Sequence, residues 1–537
     1  MGDVARRMRS LLVRCPSVVV VLAALLVWAA LPVTVPLDRE AGMLPAIGTR
    51  GVAVLCVALL ALLCAAAVAL RRRGRLHEWE MVALLLAAGF VVRAGLVLSL
   101  GYASRQHDSY VLSLDRGHLS YVLWFVDHNF ALPDFNPLER WSYYHPPLYH
   151  LIAALWVVVQ RALGLDVMQA AEGLQFIGVV TGVMCCVVIV RILREMGFSG
   201  PGLVVPAAVT SLHPALVFQS MLINNDLLCL ALSLQAFLLM LRWHADPTLR
   251  RAICVGVVLG LATMVKTNGI LMLAPIGVVF LHRAIVNGTS GKGVGVGALV
   301  GQAAAFLAVL LPLACWWHVY LLLRFGIAPG TITAPGEDDM NQYVGGRGVL
   351  ARLTGLDVAL GSPYVRYAET VELNAYSDYN PTTTLFKTIV FDENPVLGLG
   401  RANMAAAWGV FLVNVALTVV SGVGFVRGLA DAVRMRAKPL ASVAAWPALA
   451  VLFVVLVGFY YSFCFKYPFT CTENFRYIMP TLLVGLAGLG RMVSPEAHGR
   501  RFSRSPRAGM ASRASTALAV VFCGLCLLMF LAMTWMG

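Results

Sequence analysis

Between Tyr143 and His150 the chain reads Tyr-Tyr-His-Pro-Pro-Leu-Tyr-His, a polar and aromatic knot directly ahead of an apolar run. Two carboxylates enter the stretch leading into it first, in Arg105-Gln106-His107-Asp108-Ser109 and in Asp115-Arg116-Gly117-His118-Leu119-Ser120-Tyr121. A carboxylate held just above a low-dielectric surface is suited to take a proton from an attacking hydroxyl, so Asp115 and Asp108 are the candidate catalytic bases. The bland alternative is a solvated loop in which Asp115 merely caps the apolar helix that follows.

The elements that must position these groups are set by composition. Of 537 residues, 59% are hydrophobic and 13% charged, with a mean hydropathy of +0.79; soluble proteins carry about 25% charged residues. The apolar stretches have the length a helix needs to cross a bilayer and show no strand-like alternation, so helices and not a barrel do the spanning. The formal net charge is +14. Its arginines lie in short runs beside apolar segments, as in Arg71-Arg72-Arg73-Gly74-Arg75, which is the positive-inside pattern and excludes a nucleic-acid partner. Most cysteines sit inside apolar segments as small hydrophobes, without metal-type spacing. Cys464 and Cys471 flank one loop, where a disulfide requires an oxidising compartment. The N-terminal arginines and the long apolar run 17–37 favour an uncleaved anchor over a signal peptide.

The expected fold is an all-α polytopic membrane protein with about 13 transmembrane helices. They are 17–37, 51–70, 81–101, 174–193, 202–222, 227–243, 252–266, 269–285, 294–322, 405–427, 442–464, 477–493 and 514–535. Segment 146–163 decides the orientation. If it lies in the outer interface, anchored by Tyr149 and Trp156, every basic cluster falls on one side; if it crosses, the clusters from Arg191 onward move outside. The first arrangement puts Arg73 and Arg504 in the cytoplasm, with Asn224 and Pro381 outside. Residues 1–80 then form two N-terminal transmembrane helices, 81–493 a core with outer loops 102–145 and 323–404, and 494–537 a basic cytoplasmic loop and the last helix.

The order of elements resembles the GT-C superfamily of membrane glycosyltransferases, in particular the protein O-mannosyltransferase and lipid A aminoarabinose transferase family. The matching pieces are Asp108 or Asp115, Tyr121, His145-Pro146-Pro147-Leu148, Asn224-Asn225-Asp226, the run from Leu261 to Gly269, and Asn474-Phe475-Arg476-Tyr477-Ile478-Met479-Pro480. They cover roughly residues 81 to 493, with outer-face juxtamembrane helices. The resemblance implies a sugar donor linked to a polyprenyl (or dolichyl) phosphate in the plasma membrane, and a cell-envelope glycan, lipid or protein acceptor at a site on the outer face. Tyr121, His145, Asn225 and Asp226 become substrate-binding candidates by the same resemblance. The chain departs from the family in lacking its adjacent Asp-Glu pair, since Asp115 is followed by Arg116 and Asp108 by Ser109.

A departing lipid phosphate needs positive charge beside it, for which Lys266, Arg476 and Arg93 qualify. Lys266 and Arg476 have bland alternatives as a snorkelling lysine and an interfacial anchor. Arg93, inside a spanning segment, is expected to have a structural partner. No cofactor is required. A divalent metal is possible with His107, His118 and Asp226 as ligands, alongside Asp108. His213-Pro214 and Trp316-Trp317-His318 are expected to pack. The long loop 323–404, with Tyr364, Tyr367, Tyr376 and Tyr379, is expected to be ordered as an acceptor-binding lid or a passive cap. The rival class is a lipid or solute transporter or flippase without covalent chemistry, which would favour ionisable groups at the midplane and two related halves.

Overall fold

The computed structural model describes residues 37–38, 44–45, 48–102, 116–290, 294–333, 337–356, 361–368, 370–393, 401–434, 440–494 and 506–536. The architecture is helical; among the described residues only Leu37–Asp38 and Leu44–Pro45 pair as a two-residue antiparallel ladder. In chain order the helices are α1 (Gly48–Arg72), α2 (Glu78–Ser99), α3 (Gly117–Asp127), α4 (Leu148–Ala162), α5 (Val167–Glu195), α6 (Pro201–Leu212), α7 (Pro214–Gln219) and α8 (Asp226–Ala245). They continue with α9 (Leu249–Val265), α10 (Leu273–Ser290), α11 (Val296–Phe325), α12 (Val349–Thr354), α13 (Pro381–Phe391), α14 (Arg401–Val433), α15 (Leu440–Lys466), α16 (Thr481–Val493) and α17 (Pro506–Met536).

Among the described residues nine helical segments are long and apolar enough to cross a membrane, making this an integral multi-pass membrane protein. Every expected span except 17–37, which lies outside the described residues, corresponds to helix, but the expected thirteen are not all full spans. Segment 477–493 is helical only over Thr481–Val493, and 252–266 over the 17 residues of α9. α5 and α8 are central, with 78% and 72% of their most apolar stretch buried, whereas α1 and α11 bury 22% each and face outward. A capping box starts α5 early: the Asp166 carboxylate accepts from Gln169 N at 2.8 Å, while Gln169 Oε1 accepts from Asp166 N at 3.0 Å.

Segment 202–222 is not one helix. His213 is extended, as a residue before proline prefers, and Pro214 offers no N–H, so α6 stops and α7 starts afresh. The carbonyls freed at the break find partners within the bundle. Cys186 Sγ lies 3.5 Å from the Thr210 oxygen, and Arg93 Nη1 donates to the Ser211 oxygen at 2.7 Å. Arg93 is fully buried and also donates to Ser220 Oγ and the Gly89 oxygen, both at 3.0 Å. The structural partner expected for this arginine is therefore the backbone of a broken helix.

The basic clusters gather at one end. Arg194 pairs with Glu78 (3.0 Å), Arg242 with Glu195 (2.8 Å), Arg251 with Asp246 (2.7 Å) and Arg491 with Asp431 (2.5 Å), tying α2, α5, α8, α9, α14 and α16 together there. The opposite end is covered by α3, α4, α13 and the loops. α4 spans 15 residues, about 22 Å at 1.5 Å per residue and so short of a 30 Å core. It buries Tyr149, His150, Ala153, Ala154 and Val157 and exposes Leu155, Val158 and Val159 on the other face. The expected anchoring by Tyr149 is corrected: its ring is buried. Trp156 Nε1 donates inward, to the Gly173 oxygen at 3.1 Å.

Candidate functional site

Two helix breaks at the end opposite the basic clusters build the centre of the site. Asn224 Oδ1 accepts from Asp226 N at 3.1 Å, folding the chain into α8 and placing the Asp226 carboxylate in its first turn, where the helix dipole favours negative charge. Opposite it, α9 ends at Val265, and Lys266 turns extended before a 3₁₀ turn, Thr267–Met272. Gly269 permits that turn, because a Cβ there would meet the Ala262 carbonyl carbon at 2.7 Å. The hairpins are stitched by Asn225 Nδ2 donating to the Val265 oxygen at 3.0 Å. Across this seam Lys266 Nζ reaches Asp226 Oδ1 at 2.5 Å, with side chains only 11% and 5% exposed.

On one flank lies an aromatic and histidine cluster from α3 and the Tyr143–His150 knot. His118 Nδ1 is 2.9 Å from His150 Nε2, and the His145 ring stacks on His118 with centroids 5.4 Å apart. Tyr121 stacks on Tyr143 at 4.5 Å and lies 4.1 Å from the His150 ring, and its buried hydroxyl has no partner among the described residues. Burial, reinforced by His118, lowers the His150 pKa well below the ordinary imidazole value, so this ring is neutral near pH 7. Burial and then the Asp226 charge push the Tyr149 phenol up, which places that tyrosine within electrostatic reach of the central ion pair.

The other flank comes from the end of α13 and the loop before α16. Asn474 Nδ2 donates to Asp392 Oδ1 and to Glu393 Oε1, each at 2.8 Å, and Arg476 Nη2 lies 3.4 Å from Glu393 Oε1. Arg476 also donates to the Tyr477 hydroxyl at 3.0 Å, and Lys266 Nζ sits 5.5 Å from the centre of the Tyr477 ring. Asp392 adopts φ 57° and ψ −158°, a region costly for any residue but glycine, and its contact with Asn474 holds it there. Gln219, Thr388, Asp392, Asn474 and Arg476 line a small recess. His145, His118, Tyr149, Asp226, Lys266, Tyr477, Arg476, Glu393 and Asn474 thus form one polar line across this end of the bundle.

Loop 323–404 closes over the second flank. Lys387 Nζ binds both oxygens of Asp378, at 3.0 and 2.9 Å, and Arg352 Nη2 binds Glu473 Oε1 at 2.8 Å, both pairs buried. Burial outweighs the arginine and pushes the Glu473 carboxyl up to about 7. Tyr364 and Tyr379 are buried, Tyr367 half-buried and Tyr376 exposed, so three of the four aromatics expected to order this loop do pack into it.

Of the sequence-derived candidates, the structure brings Asp226 and Lys266 into contact, sets Asn225 beneath them, and joins Tyr121 with His145 through His118 and His150. Asp108, Asp115 and His107 lie outside the described residues; the N-cap position of α3 is Arg116, not Asp115. The two described metal candidates face different partners, His118 towards His150 and Asp226 towards Lys266. Among the described residues no group of three His, Cys, Asp or Glu converges as a metal site. Sequence reasoning missed His150 as the partner of His118, although it ends the same knot. It also missed Asp392-Glu393, whose only signal is an adjacent acidic pair closing an apolar run. His318, expected to pack, has Nε2 3.2 Å from Thr267 Oγ1, next to Lys266.

Residues 144–316 match the family model described as dolichyl-phosphate-mannose-protein mannosyltransferase. The match includes His145, Asn225, Asp226 and Lys266, and it supports a GT-C membrane glycosyltransferase. Among solved structures the chain is similar to the Archaeoglobus fulgidus oligosaccharyltransferase. In its complex with Zn and sulfate the identity is 13% and the TM-score 0.45, over 84% of this chain and 53% of that one. In its form tethered through a disulfide to an acceptor peptide with the NVT sequon, the identity is 13% and the TM-score 0.41, over 84% and 55%. The chain spans about half the length of these structures. No curated protein matches it.

Proposed function

We propose that the protein is a membrane glycosyltransferase that moves a sugar from a polyprenyl-phosphate donor to a hydroxyl-bearing acceptor of the cell envelope, at the outer face of the plasma membrane. The observation that carries this reading is the Asp226–Lys266 pair, buried at the end of the bundle remote from the basic clusters and within the family-matched stretch. A lipid-borne phosphate reaches such a place along the hydrocarbon while its head stays at the boundary. Lys266 and Arg476 are already held by Asp226 and Glu393, so an incoming phosphate shares or displaces those carboxylates and meets cations fixed in position beforehand.

The chemistry is a single displacement. The acceptor oxygen attacks the anomeric carbon and the bond from that carbon to the phosphate oxygen breaks. The lipid phosphate leaves with the electron pair, and the hydroxyl proton passes to Asp115 or Asp108. In-line attack inverts the anomeric centre. His145 and Tyr121 offer a polar and aromatic wall for the sugar, and loop 323–404 serves as the acceptor-side lid. The proposed reaction requires no cofactor, and a divalent ion remains compatible with it.

A lipid translocator is the competing reading, favoured by the helix break at His213-Pro214 inside the bundle. Purified protein in liposomes, supplied with radiolabelled polyprenyl-phosphate sugars and envelope extract, separates the two. Transferred label supports the enzyme, whereas lipid movement without any glycosylated product across a broad donor panel refutes it.

A further inference from the structure

A second feature lies at the opposite end of the bundle and is independent of the proposed reaction. Between α8, α9, α10 and α11 there is a cavity of about 180 Å³, lined by Met240, Trp243, Val255, Gly277, Phe280 and Phe306 among others. It exceeds the roughly 150 Å³ at which an apolar cavity takes up benzene. Its polar contribution is satisfied internally, because Trp243 Nε1 donates to Gln302 Oε1 at 2.7 Å, and Trp243 stacks on Phe280 at 4.9 Å. The site line passes through Asp226, at the far end of α8, a helix of 20 residues and therefore about 30 Å long.

One cationic group without a carboxylate among the described residues, Arg283, stands beyond the Phe280 end of this cavity. Arg283 follows Phe280 by three residues and so continues the cavity-lining stripe of α10. Among the described residues its buried Nε has no partner. Beside it His244 Nε2 is 2.9 Å from His282 Nδ1, and the fully buried His244 leaves Nδ1 without a partner among the described residues. Neighbouring Arg242 and Arg251 differ, being matched by Glu195 and Asp246.

We infer that the cavity holds part of one acyl chain of an anionic glycerophospholipid from the leaflet at the basic end, with the lipid phosphate against Arg283 and His282. A zwitterionic lipid brings an ammonium with its phosphate and so answers that charge less fully, and a free phosphate would leave the apolar lining empty.

Native mass spectrometry of the full-length protein tests this with phosphatidylglycerol and phosphatidylcholine of matched chains, and with inorganic phosphate as competitor. Wild type should retain phosphatidylglycerol over phosphatidylcholine by about fivefold, the effect of one well-placed cation. Arg283→Gln should bring that ratio close to one. Gly277→Leu should cut retention of both lipids, and the fold should tolerate it because a Cβ at Gly277 meets nothing within 4 Å. Equal retention of the two lipids by wild type would overturn the inference without any variant. Wild-type retention by Gly277→Leu, or complete displacement by inorganic phosphate, would overturn the seating of the chain.

Discussion

The two ends of the bundle handle charge in opposite ways. At the basic end three of the four described ion pairs are surface pairs, with the Arg194 and Glu78 side chains 46% and 21% exposed and those of Arg242 and Glu195 36% and 35%, and Arg491–Asp431 is the more enclosed exception. At the other end Lys266–Asp226, Arg352–Glu473, Lys387–Asp378 and Arg476–Glu393 are almost wholly enclosed. Exposed pairs tie helix ends together at little gain, typically about 0–1 kcal/mol. A buried pair costs desolvation that its own attraction does not reliably repay, so four of them at one end mark where the protein maintains charge for a purpose other than stability.

Breaking a pair should therefore have very different consequences at the two ends. Asp226→Asn or Lys387→Met leaves a buried charge uncompensated, and either should lower stability by about 3–5 kcal/mol, as read by thermal unfolding in nanodiscs. Polyprenyl phosphate should restore much of the loss in Asp226→Asn, by supplying Lys266 with a new anion, and none of it in Lys387→Met. Equal rescue of both would erase the distinction between a substrate-facing pair and a scaffold pair.

Acidification should split the site into its two flanks. Glu473 is pushed up to about 7 against about 4.3 in an unfolded chain, so the folded state takes up the proton first. Its contribution to stability is full below about pH 4.3 and is lost as the pH rises towards 7. His150 is shifted down, so the folded state resists its proton, and stability falls as the pH drops below about 6.5. Between about pH 6.5 and 5, hydrogen exchange should slow around residues 470–478 and quicken in α3 and α4. Glu473→Gln should flatten the first trend alone. The smallest effect is expected from Arg194→Gln, about 0–1 kcal/mol in the same unfolding assay. A loss as large as that of Asp226→Asn would contradict the contrast between the ends.

Sidedness is the remaining part of the comparison. A cysteine at Tyr376, exposed in the second loop, should label in intact cells. One at Arg73 should label only after permeabilisation. The reverse pattern would place the site on the wrong face.

The sequence made the long helices legible because hydropathy and length alone set them. It also showed that the arginines share one side, which the pairs from Arg194 to Arg491 bear out as one end of the bundle. The break at His213-Pro214 was hidden because the apolar run continues through it; it becomes visible only when Arg93 is seen serving the Ser211 carbonyl. Asp226 and Lys266 were each recognisable as site residues, but nothing in a one-dimensional reading brings together two side chains 40 residues apart. The partners from loop 323–404, Asp378, Asp392 and Glu393, carried weaker signals still, since their placement depends on the loop folding back onto residues 466–476.

The most direct test is single-turnover transfer by Lys266→Met in liposomes with a saturating polyprenyl-phosphate sugar. Methionine keeps the apolar stem and removes the ammonium that the account sets against the leaving phosphate. The rate should fall about 10²- to 10³-fold, the loss typical of one group stabilising developing charge, with donor affinity changed far less. Transfer at the wild-type rate would contradict the account and reduce Lys266 to a structural partner of Asp226.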